Sequence, residues 1–98
     1  MPTGSQIDLL KFLEKHFAPG KLVLDFFAKE YHISGKDLQG ADQSVSWPMA
    51  LFLESLRPCY KAMVEDGKAI ILKDSRWSLV VKEKNVDLKI IVAFLLKR

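Results

Sequence analysis

The side chains that could do covalent chemistry are few: one thiol, Cys59, and two imidazoles, His16 and His32. A thiol beside an imidazole can be activated as a nucleophile, and such pairs meet only in the folded chain, so a Cys59–His32 dyad is the one arrangement of this kind available. The neighbouring residues favour a plainer role. Cys59 follows Leu56 on an apolar stretch and reads as a packed thiol. His32 reads as a turn residue, and His16 as the end of a helix. The sequence holds no His-x-x-x-His, no paired carboxylates at helical spacing on an apolar wall and no nucleophile motif. Gly35-Lys36 lacks the upstream glycine of a phosphate-binding loop. A single cysteine can form no internal disulfide and no thiolate metal cluster. These observations predict a protein that is not an enzyme, with no catalytic residue, metal or cofactor.

The remaining chemistry is charge. Arg57, Lys61, Lys68, Lys73, Arg76 and Lys82 are the cations that could contact phosphate, and they fall in one half of the chain. Residues 1–47 carry five Lys against six acidic residues, a net charge of −1. Residues 48–98 carry seven Lys and three Arg against six acidic residues, a net charge of +4. Phosphate contacts of this kind position a protein on nucleic acid without reading its sequence.

Ninety-eight residues make one domain, 1–98, and 49% of them are apolar. A chain this small with that much apolar surface is expected to bury some of it against a partner. The N-terminal residues lack a signal-peptide pattern, and the longest apolar run, Ile90 to Leu96, is too short to span a membrane. The expected protein is soluble and intracellular, either cytoplasmic or nuclear.

Several elements must position these groups. Ile7, Leu9, Leu10, Leu13 and Phe17 predict a first helix capped by Ser5 and stopped at Ala18-Pro19-Gly20. Leu22, Val23, Phe26, Phe27 and Tyr31 fit a second helix over 21–31, although Leu22-Val23-Leu24 could begin a strand. The polar stretch 35–46 reads as a loop around at most one helical turn. A long central helix opens on Pro48, continues through a kink at Pro58 and ends at Glu65-Asp66-Gly67, with Gly67 in the left-handed position. Two helices meeting at Arg57-Pro58 are the alternative. A hairpin follows, Ala69 to Lys73 and Arg76 to Lys82, turning at Asp74-Ser75. The tail, 85–98, reads as a helix capped by Asn85. Its apolar face of Leu88, Ile91, Val92, Leu95 and Leu96, with Ile90 and Phe94 outside it, is too wide for one small core. That predicts a docking or dimerisation helix.

Helices followed by a hairpin ending in a basic strand make this order of elements resemble the winged helix-turn-helix superfamily over residues 5–84. The resemblance implies an α+β, mostly α, winged-helix-like domain: three helices, a β-hairpin wing and a C-terminal helix. Two layouts fit. In one, residues 27–34 form the helix-turn, with Ala28 at the close-contact position and Ile33 and Leu38 apolar after the turn; His32 stands where the family usually has glycine. In the other, the favoured one, residues 48–65 are the recognition helix. Arg57 and Lys61 then point outward, and Lys68, Lys73, Arg76 and Lys82 lie on the wing. The implied function is a small DNA-binding protein, a transcriptional regulator with phosphate-dominated contacts to duplex DNA. The alternative is a protein–protein interaction module within a larger complex, with a homodimer or protein partner held by the C-terminal helix through Leu88, Ile91, Val92 and Leu95.

Overall fold

In the computed structural model, which describes residues 7–64 and 68–97, the stretch expected to be a second helix is a β-hairpin. Strands β1 (Gly20–Phe27) and β2 (Glu30–Lys36) pair antiparallel with Phe27 opposite Glu30. Ala28 and Lys29 form the two-residue turn, with φ of 52° and 63°. Both central residues of a tight hairpin turn that matches strand twist need positive φ. The chain meets that need without glycine or asparagine. The apolar residues follow a period of two: Leu22, Leu24, Tyr31 and Ile33 are buried, while Val23 and Phe27 are exposed.

The stretch read as a loop is strand β3 (Asp42–Pro48), which pairs antiparallel with β2 from Glu30–Pro48 to Lys36–Asp42. The connection closes on a Gly40 N–H to Asp37 carbonyl bond of 3.0 Å, with Gly40 at φ 83°. The Asp37 carboxylate accepts from the Gln39 and Ala41 amides. Alternation along β3 is weak because Ser44 and Ser46 face outward and only Trp47 is buried.

The long central helix is also corrected. Helix α2 (Met49–Leu56) ends after eight residues, a 3-10 turn covers Arg57–Cys59, and Tyr60–Val64 is strand β4. Proline cannot donate the helical hydrogen bond expected at Pro58, and its ring crowds the preceding turn, so the chain leaves the helix instead of kinking. The expected stop at Gly67 lies outside the described residues, as does the expected cap at Ser5. Helix α1 (Leu9–His16) is capped by the Asp8 carboxylate, which accepts from the Lys11 amide. Helix α3 (Leu88–Leu96) is capped by Asp87 instead of Asn85.

The hairpin exists, as β5 (Ala69–Leu72) and β6 (Trp77–Val81), paired antiparallel. It is not a wing. The six strands form one sheet in the order β3-β2-β1-β6-β5-β4, so β6 lies in the middle, parallel to β1 from Gly20–Trp77 to Leu24–Val81. Two antiparallel three-strand meanders are thus joined along one parallel seam. The winged-helix, mostly α reading is overturned: this is an α+β domain built on a six-stranded mixed sheet.

All three helices pack on one face of the sheet. Phe52 of α2 meets Tyr31 and Trp47 at centroid distances of 4.9 and 6.0 Å, and Phe12 of α1 meets Trp47 edge-on at 5.1 Å. Ser55, buried between α1 and α2, donates to the Leu51 carbonyl and accepts the Ile7 amide at 2.9 Å. Gly35 clears space on this face. A Cβ there would sit 2.3 Å from Leu22 Cδ2 and 3.4 Å from Phe17 Cδ1, both fully buried side chains. Gly35→Ala is therefore expected to destabilise the domain by about 1–3 kcal/mol through overpacking, read as a lower urea midpoint at unchanged slope. The other face carries one cross-strand row of small uncharged residues, Ser44, Ser34, Val23, Val80, Ala69 and Val64.

Candidate interaction surface

The structure separates Cys59 from His32. His32 projects from the open face, where its ring stacks on Phe27 at 3.7 Å and Nε2 lies 3.1 Å from the Phe27 carbonyl. Cys59 lies under α2 beside β4, and three strand spacings, roughly 14 Å, divide β2 from β5. The Cys59 thiol donates to the Ser55 and Leu56 carbonyls, and burial pushes its pKa up to about 11 from an ordinary 9.0. A thiol so held is a structural group. Because the folded pKa is raised, its stabilising contribution is complete below pH 9 and is lost as pH rises toward 11. We expect Cys59 to react with a chromogenic disulfide at pH 8 only at the rate of unfolding, and to become fully reactive in denaturant. His16 stacks against Phe12 at the end of α1. No cluster of His, Cys, Asp or Glu suited to a metal occurs among the described residues.

The six cations singled out from the sequence do not share a face. Arg76 and Lys82 lie at opposite ends of β6, six residues or roughly 20 Å apart. Lys73 is at the Arg76 end, and Lys68 is at the Lys82 end, where its carbonyl accepts the Val81 amide. Arg57 is on the helix side. Most of them are also engaged. Arg76 forks onto Asp74 at 2.7 Å, reaches Glu14 at 3.0 Å and covers the Trp77 ring. That pairing raises the Arg76 pKa and lowers that of Asp74, mainly through the side-chain hydrogen bond between them. Lys68 meets Glu83 at 3.7 Å, and Lys82 meets Asp25 at 3.8 Å. Arg57 pairs with Glu54, donates to the Phe94 carbonyl at 2.9 Å and lies 4.3 Å over the Phe94 ring, so it fastens α3 to the end of α2. Only Lys61 and Lys73 have no carboxylate partner among the described residues.

The tail helix gathers three exposed large apolar side chains on one short element, while Val23, Phe27, Leu38, Met49 and Val64 are spread over the rest of the surface. Of the four residues expected to mediate association, Ile91 is fully buried in the chain's own core. Leu88 and Leu95 are half-buried against it, and Val92 is 36% exposed. Leu96, on the same expected face, is 73% exposed, and Ile90, expected outside that face, is 46% exposed. What the helical spacing does not tell is which flank turns inward: Ile91, at the centre of the expected face, is the residue the core takes.

Helix α3 runs along the sheet edge above β4. Its first turn meets the far end of β4, with Leu88 and Val92 lining a groove of about 350 Å³ together with Met63, Val64 and Lys68. Its last turn meets Arg57, which precedes β4. Leu88, Val92 and Leu96 are four residues apart, so they form one flank of the helix, on the groove side. Beneath that flank, β4 is the last strand of the sheet, paired with β5 on one side only, with a bulge between Tyr60 and Ala62. The result is a strand edge with no neighbour among the described residues, beside an apolar helix flank. No helix among the described residues is long and apolar enough to cross a membrane. No family model, curated protein or solved structure matches this chain.

Proposed function

We propose that this domain is a protein-interaction module whose working surface is helix α3 together with the sheet edge beside it. The observation that carries this reading is the exposure of Ile90, Val92 and Leu96 on a nine-residue helix in which only Ile91 is fully buried. Complete burial of a large aliphatic side chain is worth about 1.5–3 kcal/mol, and association with a partner recovers the share that these three still expose. Duplex DNA binding is the less favoured reading, because a phosphate track needs cations on one continuous face and these are divided between two ends and mostly paired with carboxylates.

Selection of a displayed peptide library on the full chain tests the proposal, with counter-selection on a Val92→Glu/Leu96→Glu variant whose fold is verified by circular dichroism. Sequences enriched on the native chain and absent from the variant are expected; no such enrichment overturns the reading. Fluorescence anisotropy with a random-sequence duplex is expected to show little binding at low salt. Tight binding with a steep salt dependence would replace the module by a nucleic-acid binder.

A further inference from the structure

We infer that the partner is an extended segment of another protein that adds to β4 as a seventh strand, with apolar side chains at alternate positions and carboxylates between them. This rests on the interaction-module reading and specifies its partner. The backbone of β4 sets the first requirement. Its outer N–H and C=O groups have no strand beside them among the described residues, and the ligand that satisfies a row of such groups is another extended backbone about 4.8 Å away.

The helix flank sets the second. A strand added there lies beside the flank of Leu88 and Val92, and every second side chain points at them and at Met63, while the side chains between face the open side with Val64. An alternating apolar segment continues the layer that the sheet and helices already form. The groove reaches the end of β4 at Lys68, and β4 is five residues long, so a segment of five or six residues matches it.

Charge sets the third and decides between another protein and a second copy of this chain. Lys61 stands at the bulge in β4 with no carboxylate partner among the described residues, and Lys89 is exposed in the first turn of α3. Antiparallel pairing of β4 with β4 of a second copy about Ala62 would bring the two Lys61 side chains to diagonal positions, within about 8 Å of each other. Lysine and a bulge on an edge strand are devices that discourage self-pairing. A carboxylate in the incoming strand meets the same cation favourably. The surface thus rejects its own copy and accepts an acidic, alternating strand.

The test uses the full chain, labelled with 15N, and capped eight-residue peptides alternating valine with glutamate or valine with lysine. The glutamate peptide is expected to shift β4 and α3 resonances and to slow exchange of the outward β4 amides roughly tenfold at saturation. The lysine peptide is expected to bind more weakly, and Lys61→Glu to reverse that order. A glutamate peptide N-methylated on alternate amides keeps its side chains but cannot pair, and its failure to bind supports strand addition. Shifts confined to α3 with unchanged β4 exchange would overturn strand addition while leaving an interaction module. Concentration-dependent dimerisation that protects β4 without peptide would overturn the choice of partner. Absence of binding by both peptides also overturns the proposal, and the library selection then decides the broader reading separately.

Discussion

Replacing Trp77 with alanine is expected to cost about 3–5 kcal/mol, a large part of the 5–15 kcal/mol typical of a whole domain. Trp77 is 1% exposed and is the first residue of β6, opposite Gly20 of β1, where the parallel seam begins. Its indole fills the core below the end of α1, its Nε1–H donates to the Ala18 carbonyl at 3.2 Å, and the Arg76 guanidinium covers the ring at 4.4 Å. The seam is the place where the effect should be largest. Each meander can form from neighbouring strands, but pairing residues 20–24 with 77–81 closes most of the chain into a loop and needs strong contacts to hold it. Trp77→Phe separates packing from hydrogen bonding: it keeps an aromatic ring and removes the Ala18 donor, for an expected loss of about 1–2 kcal/mol. Urea unfolding at unchanged slope measures both. A loss below about 1 kcal/mol for the alanine variant would show that the seam does not depend on this residue.

The second large effect has the opposite sign. Ala28→Asn with Lys29→Gly is expected to stabilise the domain by about 1–3 kcal/mol, since left-handed backbone at non-glycine residues costs on the order of 1 kcal/mol or more at each position. Both residues are exposed, and the turn they form is bounded by the Phe27–Glu30 pair, so neither substitution disturbs packing. The gain should appear as a raised urea midpoint. Because a β1–β2 hairpin is local, refolding should also accelerate if it forms before the seam. Ala28→Pro in the same turn should be strongly destabilising, because proline cannot adopt φ of 52°.

Those two residues also explain why the first half of the chain reads as a helix. Leu22, Phe26 and Tyr31 satisfy a helical period as well as Leu22, Leu24, Phe26, Tyr31 and Ile33 satisfy a strand period broken by a turn. A glycine or asparagine at 28–29 would have marked the break. Strand β3 was hidden for a related reason. It is an edge strand whose outward residues are serines, and its pairing comes from β2, not from its own propensity. Pro58 was visible and its disruptive effect was anticipated, but a kink and an exit into β4 differ only in whether β5 offers Tyr60–Val64 a partner.

Segments with complete local signals were legible before the fold was known. These were an apolar-striped helix with basic residues in its last turn, a hairpin at 69–81, a helical tail with more apolar surface than its own core could cover, and a lone thiol that packs. Hydrophobic period, turn chemistry and residue count are properties of neighbours along the chain. That the hairpin is the centre of a sheet and not a wing emerges from the folded chain alone, because the partner of β6 is β1, more than fifty residues away. The folded chain also decides which flank of α3 is covered, which cations are paired, and that β4 ends the sheet beneath exposed Val92 and Leu96. Each of these depends on what lies across space from a residue, and a single sequence records no distance between Gly20 and Trp77.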